Sequence, residues 1–433
     1  MKQLRLLSTT LLCFIQFTIA QPPNVNPQVL KESNPESAGF SAERLTRIDK
    51  VMNEAVEKGQ MNGGVAMIIR DGKIAYYKSF GYNDVAVKQP LQKDAIFRIA
   101  SQTKAITSVA VMMLFEEGRF LLDDPVSNFI PEFKNPTVLD KYNAADTTYT
   151  TVPAKREVTI RDLLTHSSGI GYAQIGTAQQ NAIYYKAGVV GGIAVDKVKL
   201  ADKMKVLGKL PLFHQPGEKW TYGLNTDVLG YLVEVVSGIS LDEFFRKRIF
   251  GPLGMKDTYF YLPKEKHSRL VNLYTEDSTG MAMRMAPTIQ INGEFNRDFP
   301  ITNGTYFSGG AGLSSTIYDY AIFLQMLLNG GTYNGKRLLS RNSVRMMTMN
   351  QIGDHQRNAT DKFGLGFGIV TERGSGVIPL NEGSYEWGGM YATTYWVDPK
   401  EKLIGLFYRN IYPTRHRALG NKYKVLVYQA IND

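Results

Sequence analysis

The segment IASQTKAITSVAVMMLF, residues 99–115, is the most informative stretch of this 433-residue chain. From residue 105 onward nearly every side chain is apolar, a pattern typical of a helix buried on all sides. The first turn is the exception, because Ser101 and Lys104 stand three residues apart there. At that spacing both side chains lie on one face of a helix. Lysine rarely enters a protein core without a partner, so its position needs a chemical or structural reason.

Two interpretations of this pair follow from the residues alone. In the first, Ser101 caps the helix and the Lys104 side chain extends along it until the amine reaches solvent. In the second, Ser101 is a nucleophile and Lys104 is the base that takes its proton. Lysine can do so only as the neutral amine, which burial and the positive end of the helix dipole both favour. The same helix terminus offers the backbone N–H of Ser101 to an oxyanion.

The composition is that of an ordinary globular protein, with 43% hydrophobic and 21% charged residues. Its length predicts two or three domains, or one discontinuous pair. The net charge of +10 is spread along the chain without a Lys/Arg block, so we predict no nucleic-acid partner. The histidines lack metal-ligand spacing and the glycine pairs lack a phosphate-loop context. We therefore predict neither a metal nor an organic cofactor.

The first twenty residues have the features of a secretory signal. Lys2 and Arg5 precede an apolar run, and small residues end at Ala20. Cys13, the single cysteine of the chain, lies within this segment, so the mature protein would contain no disulfide and no reactive thiol. We predict a signal peptide at 1–20 and a lead-in segment at 21–35. The expected location is outside the cytoplasm, in a bacterial periplasm, with no stable membrane insertion after cleavage.

Hydrophobic periodicity places strands near both ends of the chain and helices between them. A helix and a hairpin around Asp71-Gly72 precede residue 99, whereas four strands and a final helix follow residue 360. Residues 135–157 and 172–200 have no clear period and are predicted to be long loops. The pattern predicts an α+β fold with a discontinuous α/β lobe, residues 36–115 and 300–433, and a helical lobe, residues 116–299. Such folds place a cleft between their lobes.

Several stretches, in the expected order, resemble the serine β-lactamase and penicillin-binding-protein superfamily, in which S-x-x-K carries the nucleophile and the base. They include LDDPVSNFIPEF, TIRDLLTHSSGI, LVEVVSGISLDEFF, IFGPLGMKDTYF, SGGAGLSSTIYDYAIFLQMLLNGG and VDPKEKLIGLFYRN. The resemblance covers residues 36–430 and is greatest to the class C β-lactamase-like group, which includes family VIII carboxylesterases. It implies a β-lactamase/transpeptidase-like fold. In that fold an antiparallel sheet of five or more strands is flanked by the terminal helices and lies beside an all-helical lobe.

The resemblance also implies a third catalytic residue, Tyr222 in WTYGLNTDVLG. Its hydroxyl would bridge the serine and the lysine and pass a proton to the leaving group. The asparagine that usually stands two residues after this tyrosine is displaced to Asn225, with Leu224 in its place. Asn225 is the candidate for holding a substrate amide, although the displacement puts that role in doubt. A second Y-x-N, at 408–410, falls in the last predicted strand and is predicted not to be the motif.

The third motif of the family, K-T-G or H-x-G, is replaced here by Trp387-Gly388-Gly389, which resembles the esterase-like variant. The glycines would let the backbone approach a ligand, and Met390 would supply a second oxyanion N–H. Without the lysine of K-T-G, the cation that grips a substrate carboxylate is missing. That loss favours esters or small amides. His166 lies beside serines in THSSG, but the resemblance implies a structural turn there, and no G-x-S-x-G elbow is present.

The sequence thus predicts a serine hydrolase that cleaves a small-molecule ester or amide through an acyl-enzyme on Ser101. One alternative is a β-lactamase, a D-Ala-D-Ala carboxypeptidase or a D-aminopeptidase that uses the same residues on β-lactams or peptidoglycan fragments. Another is a penicillin-binding or sensor domain that is acylated without turnover. A monomer is the default expectation for the oligomeric state.

Overall fold

A computed structural model describes residues 29–432 except for residues 190, 194–196 and 291–293. The predicted signal peptide, and most of the predicted lead-in segment, lie outside the described residues. Within the described ranges no helix is both long enough and apolar enough to cross a membrane.

A large mixed sheet forms the centre of the described chain. Its nine strands are β1 (Lys31–Glu32), β2 (Gly63–Arg70), β3 (Lys73–Asp84), β4 (Gln89–Pro90), β5 (Asp361–Phe363), β6 (Gly368–Val370), β7 (Tyr385–Gly389), β8 (Thr393–Asp398) and β9 (Leu403–Tyr408). Their spatial order is β1-β3-β2-β9-β8-β7-β6-β5, with β4 paired to β3. Only β1 and β3 are parallel among these pairs. The predicted sheet of five or more strands, built from both ends of the chain, is confirmed.

Twelve α-helices accompany the sheet within the described ranges. They are α1 (Ala42–Glu57), α2 (Thr103–Glu116), α3 (Ile160–Leu164), α4 (Ala178–Lys186), α5 (Leu200–Gly208), α6 (Asn225–Ser237), α7 (Leu241–Phe245), α8 (Gly251–Leu253), α9 (Ile317–Leu328), α10 (Arg341–Met347), α11 (Glu372–Ser375) and α12 (Ala418–Tyr428). Short 3₁₀ turns lie at Pro35–Ala38, Ala100–Gln102, Val126–Asn128, Pro131–Phe133, Lys264–Arg269 and Phe299–Ile301, and a π-helical turn at Arg246–Phe250.

The terminal helices cover one face of the sheet, and α2 and α9 lie on the other side. All eight residues of β2 are buried, because a strand directs successive side chains to opposite faces and both faces are covered. Ala66 and Ile68 pack with α1 and α12, whereas Val65, Met67 and Ile69 join the larger core that contains α2 and α9. The prediction of a sheet flanked by terminal helices is therefore confirmed.

Residues 116–299, the predicted helical lobe, contain more helix than strand, but they also contain strands that the sequence did not predict. Three antiparallel pairs are described there: Thr137–Tyr142 with Tyr149–Pro153, Tyr274–Glu276 with Ala282–Arg284, and Thr288–Gln290 with Glu294–Asn296. The prediction of a long loop at 135–157 was wrong. Every residue of Tyr149–Pro153 is exposed, so no buried face imposes an apolar alternation that periodicity could detect. The domain limits themselves stay a prediction.

The predicted loop at 172–200 was also wrong in part, since it contains α4. Thr177 and Gln180 form a reciprocal capping box at the start of this helix. That pattern is readable in the sequence and could have located the helix. The hydrophobic periodicity of α4 is too weak to do so, with three of its nine residues buried.

Candidate active site

A tight turn places Ser101 at the entrance of a buried helix. Phe97–Arg98 pairs with Ser314–Ser315, and the chain then turns through Ala100–Gln102 directly into α2. Ala100 has a φ of 43°, a left-handed conformation that is uncommon for a residue with a side chain. Residues 103–114 are all buried, whereas Ser101 is partly exposed. The turn thus presents the hydroxyl at the edge of an otherwise closed core.

Lys104 is buried, with 1% of its surface exposed, so the interpretation in which its amine reaches solvent is wrong. Its Nζ lies within hydrogen-bond distance of three oxygens: the Gly310 carbonyl at 2.7 Å, the Tyr172 hydroxyl at 2.9 Å and Ser101 Oγ at 3.4 Å. All three belong to neutral groups. No ion pair to Lys104 lies within 4.0 Å in the part of the chain that the structure describes. A buried amine among neutral oxygens can exchange a proton with the adjacent hydroxyl.

Tyr222 completes the predicted trio. Its hydroxyl donates to Ser101 Oγ at 2.7 Å, and Lys104 Nζ lies 4.7 Å from the centre of its ring. The loop that carries it is tied to the THSSG segment, since the Thr221 N–H donates to the His166 carbonyl at 2.7 Å. The structure therefore brings the predicted nucleophile, base and tyrosine into direct contact.

Tyr172 is a member of this site that sequence reasoning missed. Its hydroxyl contacts Lys104 Nζ, and its ring lies 5.3 Å from the ring of Tyr222, measured between centres. Burial, together with the neighbouring Tyr222, raises the pKa of Tyr172 well above its usual value, so this phenol stays neutral. It belongs to no motif and is one of 24 tyrosines. No sequence signal distinguishes it, because its contact with Lys104 is made by the fold.

Asn225 lies close by but does not face the reacting atoms. It is fully buried, and both ends of its amide are occupied, since its Nδ2 lies 2.9 Å from His166 Nδ1 and its Oδ1 accepts from the Ser168 hydroxyl. His166 is also buried. Desolvation, with the charge of Lys104 behind it, holds the pKa of His166 well below its usual value. The THSSG segment thus supports the Tyr222 loop, and Asn225 is part of that support.

The strand β7 packs against the turn that carries Ser101. A Cβ at Gly389 would lie 2.3 Å from the Ile99 carbonyl oxygen, a distance that only glycine permits. Two residues earlier the half-buried ring of Trp387 lies 5.7 Å from the ring of Tyr222, between centres. Gly388 lies between them, and Met390 follows the strand directly. The backbone of Met390 is therefore near the turn of Ser101, and its role in an oxyanion hole stays a prediction.

A cavity of about 530 Å³ opens beside Tyr222. Hairpin 137–153, the start of α4 and the Tyr222 loop form its walls. Apolar and aromatic side chains of Leu139, Ile175, Phe213 and Trp220 contribute, together with the exposed amine of Lys219. Polar side chains of Gln179, Gln180 and Thr221 line the cavity as well, so its wall is mixed in character. A concave wall that combines apolar surface with polar groups is typical of sites for small molecules.

In the described chain the other sequence motifs form no hydrogen bond with Ser101, Lys104 or Tyr222. The Tyr408 hydroxyl donates to the Gln102 side chain and Asn410 accepts from Arg98, and both are fully buried. Residues 278–280 form a turn between two short strands. Over the described ranges no group of three or more His, Cys, Asp or Glu residues could hold a metal ion.

Comparison with known proteins agrees with this geometry. A family model described as Beta-lactamase matches residues 48–429. Esterase EstB of Burkholderia gladioli is 28% identical over 406 residues, which cover 90% of this chain and 96% of the esterase. A putative D-alanyl-D-alanine carboxypeptidase of Escherichia coli strain K12 is 30% identical over 357 residues, which cover 79% of this chain and 75% of that protein.

A similar solved structure is that of EstCE1, described as a hydrolase with promiscuous acyltransferase activity. It superposes with a TM-score of 0.78 at 24% identity and covers 89% of this chain and 99% of its own. This likeness establishes the β-lactamase/transpeptidase-like fold that the resemblance implied. The chain belongs to the β-lactamase family and is an enzyme of the serine hydrolase superfamily.

Proposed function

We propose that this protein hydrolyses carboxylic esters through an acyl-enzyme on Ser101. The observation that carries the proposal is the contact of one partly exposed hydroxyl with two proton-transferring groups. Ser101 Oγ accepts a hydrogen bond from Tyr222 at 2.7 Å and lies 3.4 Å from the buried amine of Lys104. The hydroxyl also stands at the mouth of a buried helix, where a substrate carbonyl can reach it.

The acylation step follows from these contacts. The neutral amine of Lys104 takes the proton of Ser101 while Oγ bonds to the ester carbonyl carbon, whose oxygen becomes an oxyanion. The backbone N–H groups of Ser101 and Met390 hold that charge. The bond between carbon and the alcohol oxygen then breaks, and the departing oxygen receives a proton through Tyr222. Tyr222 is replenished from the Lys104 ammonium, so the alcohol leaves neutral.

Deacylation runs through the same groups in the opposite sense. Lys104 and Tyr222 take a proton from a water molecule, which attacks the acyl carbon, and Ser101 regains its proton as the carboxylic acid leaves. An alcohol that replaces water would give acyl transfer instead. EstCE1 is described as having such an activity, and its fold is shared by this chain.

The preference for esters rests on the strand that borders the site. β7 presents Trp387-Gly388-Gly389 where β-lactam-processing relatives carry a cationic K-T-G. The guanidinium of Arg357 stacks on Trp387 at 4.9 Å from the ring centre, but it is paired with Asp361 at 3.1 Å. A neutral substrate therefore fits this wall better than one that carries a carboxylate beside the scissile bond. The esterase relative from Burkholderia gladioli supports the same choice.

The proposal is tested by comparing substrates on the purified protein and on its Ser101→Ala variant. We expect hydrolysis of short-chain nitrophenyl esters that the variant lacks, with turnover of a chromogenic cephalosporin far lower. Preferential cleavage of the cephalosporin or of a D-Ala-D-Ala peptide would replace the ester proposal by the carboxypeptidase function, for which the Escherichia coli relative argues. Intact-mass spectra over time separate an enzyme from a sensor, since a persistent acyl adduct on Ser101 would overturn turnover.

We also propose that the protein is exported from the cytoplasm of a bacterium. The basic, apolar and small-residue regions of residues 1–20 support this, with cleavage after Ala20. Expression of the full chain in a bacterium, followed by mass spectrometry of the periplasmic fraction, tests the proposal. A mature chain that begins at Gln21 is expected, and an uncleaved chain confined to the cytoplasm contradicts it.

A further inference from the structure

Asp227 is a buried carboxylate that is separated in space from Lys104, the base of the proposed reaction, by a single residue, Gly310. It lies in the first turn of α6 and has no exposed surface. Its Oδ1 accepts a hydrogen bond from the Ser308 hydroxyl at 2.6 Å. A carboxylate removed from water is costly unless hydrogen bonds or an opposite charge compensate it. The surroundings of Asp227 should therefore contain such a charge.

Gly310 connects this carboxylate to Lys104. A Cβ at Gly310 would fall 2.4 Å from Asp227 Oδ2, so the carboxylate lies directly against the Gly310 backbone. On its other side the same residue accepts the hydrogen bond from Lys104 Nζ at 2.7 Å. Burial raises the pKa of Asp227 above its usual value, and the Ser308 hydroxyl, the charge of Lys104 and the Gly310 N–H offset only part of that rise. The carboxylate of Asp227 and the amine of Lys104 thus both contact Gly310, and they do not contact each other.

The other groups that face Lys104 carry no charge. They are the hydroxyls of Ser101 and Tyr172 and the ring of Tyr222, with the neutral ring of His166 behind Tyr222. Tyr306 is buried near Asp227, and burial raises its pKa well above the usual value, so it is neutral as well. In the part of the chain that the structure describes, no cation is paired with Asp227 within 4.0 Å. The ammonium form of Lys104 supplies a positive charge that acts on it.

We propose that Asp227 is a positioning residue of the reaction, whose carboxylate acts through Gly310 to stabilise the ammonium that Lys104 forms on taking the Ser101 proton. This inference rests on the proposed function. At a separation of several ångströms inside a protein, such a charge is still felt strongly. Separation by a peptide unit matters, because a direct ion pair would hold the proton on Lys104 and prevent its return to the leaving group.

The test is the pH profile of kcat/KM for a nitrophenyl ester in the Asp227→Asn variant, which keeps an acceptor for Ser308 but removes the charge. The acid limb of this profile, where kcat/KM falls as the pH is lowered, should move to lower pH by about one unit. A nearby charge commonly shifts a titration by that much. The plateau should fall by about tenfold, because the ammonium formed in the reaction loses its counter-charge. A merely structural role would lower the rate without moving the limb.

Asp319→Asn serves as the matched control. It removes another buried carboxylate, which accepts from the Asp257 N–H and the Thr258 hydroxyl. It should not move the acid limb. A shift in this control as large as in Asp227→Asn would overturn the inference, as would an unmoved limb in Asp227→Asn. If that variant does not fold, as judged by circular dichroism, Asp227→Ser removes the charge with a smaller side chain and has the same two outcomes.

Failure of the inference and failure of the proposed function are distinguishable. If the wild-type protein neither hydrolyses esters nor reacts with a fluorophosphonate at Ser101, the proposed function is wrong and the profile cannot be recorded. If the wild type is active but the Asp227→Asn limb stays in place, only the inference is wrong.

Discussion

The SQTK turn, residues 100–104, and the THSSG turn, residues 165–169, contain similar residues in different surroundings. Each combines serine with a basic residue, each contains a non-glycine residue with positive φ, and both basic side chains are buried. They differ in how their polar atoms are used. Ser101 is partly exposed and touches two groups that can carry its proton. Ser167 and Ser168 are buried and bonded to Asp162 and Asn225.

The basic residues show the same contrast. The Nδ1 of His166 already accepts from Asn225 and from the Gly223 N–H, so its lone pair is occupied. The amine of Lys104 lies 3.4 Å from the partly exposed hydroxyl of Ser101, whose proton it can take. Reactivity therefore depends on access and on an available lone pair, and residue types alone do not decide it.

The largest difference should come from replacing a serine of each turn by alanine. Ser101→Ala should lower kcat/KM for an ester by about 10⁴-fold or more, because the nucleophile is lost. Ser167→Ala should leave kcat/KM within a few-fold of wild type and reduce the free energy of unfolding by about 1 kcal/mol, the worth of a hydrogen bond. Ester kinetics and urea unfolding measure the two quantities. Equal losses of activity in both variants would erase the distinction between the turns.

The next largest difference should be between the losses of kcat/KM on changing the two tyrosines that border the site. Tyr222→Phe removes the hydroxyl that touches Ser101 and should lower kcat/KM by about 10²–10³-fold, the usual share of general acid–base catalysis. Tyr172→Phe removes only a contact to Lys104 and should cost about tenfold, as expected for a hydrogen bond to a charged group worth about 1.5 kcal/mol. Steady-state kinetics on both variants decides the order. The reverse order would make Tyr172 the proton carrier.

A third change acts on the turn through its neighbour β7. Gly389→Ala places a Cβ 2.3 Å from the Ile99 carbonyl oxygen and from Thr393 Oγ1, so the strand and the nucleophile turn must move apart. We expect a loss of about 1–3 kcal/mol in the free energy of unfolding, the usual cost of overpacking, and a clear loss of activity. Gly388→Ala is the matched control, since its nearest contact is 3.1 Å. Similar effects of both variants on activity would contradict a specific role for position 389.

The sequence predicted those parts of the site that local patterns encode. The apolar run after residue 104 predicts a helix with no solvent-facing side. Twelve of the fourteen residues of α2 are indeed buried. That single property already requires a buried lysine and so favours a chemical reason for it. Tyr172 and Gly310 could not be predicted, because they reach Lys104 from 68 and 206 residues away along the chain. The hairpin at 137–153 was not predicted, because every residue of its second strand is exposed and the strand carries no apolar alternation.

The smallest predicted effect concerns the pH dependence of stability, and it follows from the burial of His166. Its pKa in the folded protein lies well below 6.5, whereas the unfolded chain protonates near that value, so the unfolded state binds more protons below pH 6.5. The free energy of unfolding should therefore fall as the pH drops below 6.5, by up to about 1.4 kcal/mol per pH unit from this residue. His214, whose pKa burial also lowers, adds to the slope.

Urea unfolding of a His166→Asn variant between pH 7.5 and 5.5 isolates the contribution of His166. Asparagine tolerates the φ of 57° at this position and keeps a hydrogen-bonding side chain, so the variant can fold while losing the titration. Its slope should be shallower than that of the wild type. An unchanged slope in the His166 variant would mean that this ring can take up a proton in the folded protein. The THSSG turn would then resemble the SQTK turn in having an available lone pair, and the contrast between them would have to rest on access alone.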